Sequence, residues 1–297
     1  KGENQMKKKI LAVMSAVVIT TLAFTGCGNS SKESTEQSDK GMSGEITVVS
    51  REEGSGTRDA FVELLEILDE NENDLTTQMA EVTNSTSVML STVAQNQKAI
   101  GYVSLGSLSD EVKSIQIDGI DATAENIKSG EYKVSRPFNI AYKENKLTDL
   151  DKDFMKFIMS EQGQAIVEEE GYIRLDGEGS YEAAKLKGKI TLAGSTSVAP
   201  LMDVLKDEYI KLNPDVTIEI QESGSSAGIQ SAMEGATEIG MSSRELKDEE
   251  AKELTSKQIA LDGIAVIVNK ESKITTLTSE QIKSIYTGDV TDWADVK

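Results

Sequence analysis

Gly224-Ser225-Ser226-Ala227-Gly228 spells the G-x-S-x-G pattern that sets a nucleophilic serine on a strand-to-helix elbow. A serine hydroxyl is a weak nucleophile until a neighbouring base takes its proton, and that base is usually histidine. The 297-residue chain contains no histidine, which excludes a Ser-His-Asp triad, and no S-x-x-K pairing accompanies Ser226. The same small residues have another use: their backbone N–H groups can wrap an anion. Three more stretches share the composition, "AGSTSVAP" (193–200), "GMSSREL" (240–246) and "SREEGSGTRDAF" (50–61), the last containing Arg51. Each sets Gly, Ser and Thr at the start of an expected helix, where free N–H groups and the positive end of the helix dipole favour negative charge. Any one loop is also explained by ordinary N-capping; four together point to an anion cradle.

The rest of the composition narrows the classes. A formal net charge of -20 argues against nucleic acid and against electrostatic docking on anionic lipid. It does not argue against a buried anion site, because surface charge is screened over about 8–10 Å. One cysteine and no histidine leave neither a disulfide framework nor a soft metal site. That cysteine, Cys27, follows a basic run (Lys7, Lys8, Lys9), an apolar stretch from Ile10 to Phe24 and the small residues of "FTGC". This resembles a bacterial lipoprotein signal, which implies a lipid (palmitate) anchor on Cys27. Residues 28–43, rich in Ser, Lys, Glu, Gln and Asp, read as a flexible tether.

The elements that must position the loops follow from residue 44 as alternating β-branched runs and amphipathic helices. "EITVVS", "KAIGYVSLG", "VKSIQIDG", "GKITLAGS", "VTIEIQES" and "IALDGIAVIVNK" read as strands. "TRDAFVELLEIL" reads as a helix with Phe61, Leu64, Leu65 and Leu68 on one face. "DKDFMKFIMSEQGQAIVEEEG" reads as one helix stopped by Gly171, and "VAPLMDVLKDEYIKL" and "AGIQSAMEG" as two more. Strand–helix alternation predicts an α/β fold with mostly parallel sheets and a ligand at the carboxyl ends of the strands.

"ITLAGSTSVAPL", "ESGSSAGIQSA", "IGMSSREL", "IALDGIAVIVN", "LTSEQIKSIYTGDVTDW", "VVSREEGSGTRDAF", "AIGYVSL" and "SRPF" together resemble the phosphate-binding protein of the bacterial ABC phosphate transporter. The resemblance covers nearly everything after residue 44. It implies a two-domain periplasmic-binding-protein fold (type II-like) with a hinged ligand cleft. The order departs from that pattern: residues 44–187 hold what comes second in the family, so the chain reads as circularly permuted. The expected layout is a signal over 1–27, a linker over 28–43, a split α/β domain over 44–139 plus 263–297, and a continuous one over 140–262. Crossovers are expected around Arg136–Ala141 and Gly263–Asn269.

Carried over motif by motif, the resemblance implies that Thr196, Ser197, Ser225 and Ser243 face the anion from one domain. Arg51, Ser55, Gly56 and Thr57 would face it from the other. Several members carry an aspartate at the position of Ser243, where it accepts the proton of hydrogen phosphate; Asp262 in "LDGIA" is the candidate substitute. Arg244 reads as a salt-bridge or hinge residue. The function implied is an extracytoplasmic, lipid-anchored, monomeric phosphate receptor serving a membrane permease, with no catalysis, cofactor, metal or nucleic-acid partner. A receptor for sulfate, molybdate or tungstate is the alternative, and a serine hydrolase or phosphoesterase the lesser one.

Overall fold

The computed structural model describes residues 42–297, so the expectations for the signal, Cys27 and most of the tether lie outside the described residues. In chain order the elements are β1 (Thr47–Arg51), α1 (Gly56–Leu64), β2 (Glu81–Thr83), α2 (Thr86–Gln95), β3 (Ala99–Ser104), β4 (Val112–Ser114), β5 (Gln116–Ile117), α3 (Ala124–Ser129) and β6 (Ser135–Tyr142). There follow α4 (Asp149–Met159), α5 (Glu161–Glu169), β7 (Gly188–Gly194), α6 (Ala199–Leu212), β8 (Val216–Glu222) and α7 (Ser225–Glu234). The chain closes with β9 (Ile239–Ser242), β10 (Thr255–Asn269), β11 (Thr276–Leu277) and α8 (Ser279–Thr287).

Local chemistry accounts for most boundaries. Ser55, Ser85 and Thr123 cap α1, α2 and α3 by accepting backbone N–H groups, and α4 and α8 each begin with a reciprocal capping box. The stretch expected as one helix over 151–171 is two. Ser160 turns the chain between α4 and α5, its hydroxyl donating to Phe157 O and accepting Gly163 N–H. A side chain at Gly163 would collide with the Phe157 carbonyl at 2.2 Å, so glycine permits this corner. The α1 helix ends at Leu64, which is exposed, whereas Phe61 and Leu65 are buried.

A nine-stranded sheet runs β2-β1-β3-β10-β6-β9-β7-β8, with β4 beside the far end of β10. Its outer thirds are parallel: β1 pairs with β2 and β3, and β7 with β8 and β9. Between them β10 and β6 run antiparallel to their neighbours. Strand β10 spans 15 residues and joins both sides, pairing with β6 through Gly263 and with β3 from Ile264 onward. Apolar side chains gather in two large clusters. One draws on residues 46–134, Ile173 and 264–293; the other draws on 138–260. We call these the first and second halves. Among the described residues, no helix is long and apolar enough to cross a membrane.

Candidate anion-binding site

The packing of α1 fixes the most important charge. Phe61 stacks on Tyr102 of β3 with ring centroids 4.0 Å apart and meets Tyr286 of α8 edge-on. Burying such a side chain is worth roughly 1.5–3 kcal/mol, and here it seats the start of α1 at the end of β1. The Tyr102 hydroxyl, its pKa pushed up to about 12 by burial, accepts Arg51 N–H at 3.0 Å and pairs with Ser50 Oγ at 3.0 Å. The Arg51 backbone is therefore pinned by the core of the first half, and only the side chain projects beyond it.

That side chain reaches the second half. Arg51 Nη2 donates to Thr196 Oγ1 at 3.0 Å, while Nε and Nη2 hold both oxygens of Glu52 at 2.8 Å. A guanidinium has five N–H donors; these contacts use those on Nε and Nη2, and Nη1 has no hydrogen-bond partner among the described residues. Thr57 and Ser197 hydroxyls meet at 2.8 Å, also from opposite halves. Ser243 Oγ accepts from Ser195 Oγ at 2.9 Å and lies 3.3 Å from Ser225 Oγ, which in turn accepts Ser243 N–H. Ser55 and Gly56 complete the loop at the start of α1. Gly54 and Gly224, at φ of 85° and 86°, take a left-handed turn that other residues resist, letting the two loops touch. There Ser226 N–H donates to Gly54 O at 3.1 Å.

The structure thus brings together all eight residues expected around the anion, Arg51, Ser55, Gly56, Thr57, Thr196, Ser197, Ser225 and Ser243, and buries them. The chemistry of the cluster is that of an anion cradle: neutral hydroxyl donors, one guanidinium, and the N-termini of α1, α6 and α7, with water largely excluded. Exclusion of water strengthens each charge-assisted hydrogen bond. Ser225 Oγ lies beside Ser243 Oγ, and Ser226 Oγ accepts from Arg244 Nη2 at 3.2 Å.

Asp262 stands elsewhere. It is fully buried, accepting from Ser104 Oγ at 2.7 Å and Leu105 N–H at 3.2 Å on one oxygen and from Arg136 Nη2 at 3.1 Å on the other. Burial pushes its pKa up to about 6, against the opposing pull of Arg136, Ser104 and the Leu105 N–H. Arg136 Nη1 donates to Ser243 O at 3.1 Å, so Asp262 supports the cradle through an intermediary. Arg244 forms ion pairs with Asp59 and Glu250 at 3.0 and 2.8 Å, joining α1 to the loop after β9. A cavity of about 650 Å³ lies beside the cradle, lined by Asp59, Glu63, Arg136, Pro137, Arg244 and Lys247 among others. The cradle itself is closed by direct contacts between its hydroxyls.

Sequence reasoning missed Glu52, Arg136 and Thr86, the last with its hydroxyl 3.2 Å from Thr196 Oγ1 and 3.3 Å from Ser197 Oγ. For Thr86 a signal existed: "STSV" at 85–88 repeats "STSV" at 195–198.

A sheet of this order with an enclosed cradle between two apolar cores defines a binding-protein fold, and the chain belongs to the PBP superfamily, whose domain model matches residues 7–162 and 179–297. Among individual relatives, it is 50% identical over 292 residues to "Phosphate-binding protein PstS 2" of Streptococcus agalactiae, covering 97% of both chains. It is 43% identical over 296 residues to the protein of the same name from Streptococcus pneumoniae, covering 98% of this chain and all of that one. The crystal structure of a phosphate-binding protein of a phosphate ABC transporter from Streptococcus pneumoniae superposes with a TM-score of 0.69 at 45% identity, over 86% of this chain and 100% of that one.

Proposed function

We propose that this protein captures inorganic phosphate outside the cytoplasm and hands it to the membrane permease of an ABC transporter. The observation that carries the reading is the reach of Arg51 into the second half, where its guanidinium meets Thr196 inside a ring of buried hydroxyls. Such a ring offers a small tetrahedral anion neutral hydroxyl donors and one guanidinium. The relatives' names and the family support phosphate as that anion and transport, not catalysis, as the purpose.

In this reading the two apolar clusters are the cores of two domains, one split over 44–139 plus 263–297 and one continuous over 140–262. They close on the anion about β6 and β10. The equivalence of the two outer thirds of the sheet suits a permuted order, since either half can lead the chain. Lipidation at Cys27 would hold the monomeric receptor at the membrane surface. Titration of ligand-stripped protein with phosphate, sulfate and molybdate by calorimetry tests the reading. Phosphate binding well above the other two supports it, and preference for sulfate or molybdate replaces it with a receptor for that anion.

A further inference from the structure

The strand order reads the same from both ends. Reversing β2-β1-β3-β10-β6-β9-β7-β8 maps β2 onto β8, β1 onto β7, β3 onto β9 and β10 onto β6, and each parallel pair maps onto a parallel pair. The helices follow: α1 after β1 corresponds to α6 after β7, and α2 after β2 corresponds to α7 after β8. Under this internal two-fold the first residue of α7, Ser225, has a counterpart in the first residue of α2, Thr86.

We infer that Thr86 is a further anion ligand, the first half's equivalent of Ser225. Its hydroxyl is buried in the same cluster, with a residue exposure of 6%, and bridges the two hydroxyls of the second half that face Arg51 and Thr57. Arg51, Thr196, Thr86, Ser197 and Thr57 thereby form one continuous chain of donors. A hydroxyl has one proton and two lone pairs. When Thr196 and Ser197 turn their protons toward an anion oxygen, Thr86 faces the same oxygen and donates to it, with the N-terminus of α2 adding the favourable end of its dipole. The cradle then has four helix starts arranged as two related pairs, and it grips the anion evenly from both halves. The ring oxygens that Thr86 bridges come from residues more than a hundred positions away, so its hydroxyl acts in the closed arrangement. The Ser85 hydroxyl, by contrast, is committed to capping α2 through Val88 N–H.

This inference rests on the anion-receptor reading, and the test separates the two. Thr86→Val keeps the branched shape and removes the hydroxyl; Thr86→Ser keeps the hydroxyl. Calorimetry with phosphate should show Thr86→Val weakened by about tenfold to a hundredfold, as expected for loss of a hydrogen bond to a charged group, and Thr86→Ser restored to within a few-fold of the parent. Thermal unfolding of the ligand-free variants should stay close to the parent. Parent-like affinity in Thr86→Val overturns the inference while leaving the receptor intact. A lower unfolding temperature with unchanged affinity assigns Thr86 a purely structural role and also overturns it. Should the parent bind sulfate or molybdate in place of phosphate, the phosphate reading falls, and the same two variants decide the role of Thr86 with that anion. If the parent binds none of the three, both fall.

Discussion

Arg51 and Thr196 lie 145 residues apart in the chain, and the guanidinium of one donates to the hydroxyl of the other at 3.0 Å. The contact joins the ends of β1 and β7, the two strands that correspond under the internal two-fold. If the cluster binds an anion as proposed, this contact ties recognition and closure to one side chain. Loss of Arg51 removes the cradle's cation and leaves Glu52 unpaired. Arg51→Ala should weaken phosphate by at least about a hundredfold, given roughly 1.5–3 kcal/mol for a charged hydrogen bond and more for an uncompensated charge. Arg51→Lys should recover only part of this, because an ammonium cannot reproduce the planar fork. Calorimetric affinities for both variants check it; parent-like binding by Arg51→Ala would remove Arg51 from the site.

Gly56 tests closure without touching a donor. A methyl group there would come within 2.5 Å of Ser225 Oγ and 2.9 Å of Ser243 Oγ, across the junction of the halves. Alanine suits the first turn of a helix better than glycine does, so Gly56→Ala should fold normally and yet bind phosphate at least about tenfold more weakly. Affinity and unfolding temperature measured together make the distinction, and full affinity would mean that the loops need not touch.

Asp262→Asn should act on stability before affinity. It leaves the buried Arg136 guanidinium without its carboxylate, a change that typically costs about 3–5 kcal/mol. Chemical denaturation of the parent and the variant measures it. A variant of undiminished stability that loses preference for phosphate over sulfate would instead make Asp262 the proton acceptor.

The Arg244 cluster predicts a pH dependence. Burial pushes Glu250 up, but hydrogen bonds from Arg244 and the Lys247 N–H outweigh it and hold the carboxyl below its ordinary value. A depressed carboxyl stabilises the fold above its unfolded pKa, and the effect is lost as pH falls through the depressed one. Asp59 is raised by burial despite Arg244 and would rise further without it. Arg244→Ala should therefore cost about 1–3 kcal/mol at neutral pH, and the deficit should narrow on acidification, first through Asp59 and then, below about 4, through Glu250. Urea midpoints across that range check the sign; a deficit that widens on acidification contradicts it.

Much of this site was legible because its loops are short, rich in Gly, Ser and Thr, and sit between strongly periodic elements. β1, β3, β7 and β10 carry runs of Val, Ile and Ala that are buried, and α6 and α7 show clear apolar faces. What escaped had a weak local signal. Strand β2 is three residues long at the sheet edge with Val82 exposed, so no alternation announces it or the α2 start that follows. The corner at Ser160 was hidden because α4 and α5 both continue a helical pattern, and only a tertiary arrangement reveals the turn. The partners of Asp262, Ser104 and Arg136, could not be read locally, because they sit on the flanking strands β3 and β6, 158 and 126 residues away in the chain.

The division of apolar side chains also bears on how the molecule is made. The second cluster is built from an almost unbroken run of chain, so its contacts can form once residue 260 has left the ribosome. The first begins near the N-terminal end but is completed by Ile264–Val268 of β10, Ile282 and Ile285 of α8, and Trp293. Its opening segment, with β1, β2 and β3, must wait for residues 264–293 while the later half assembles. The half translated first is thus completed after the other, and its strands stay without β10 until Ile264–Val268 have been made.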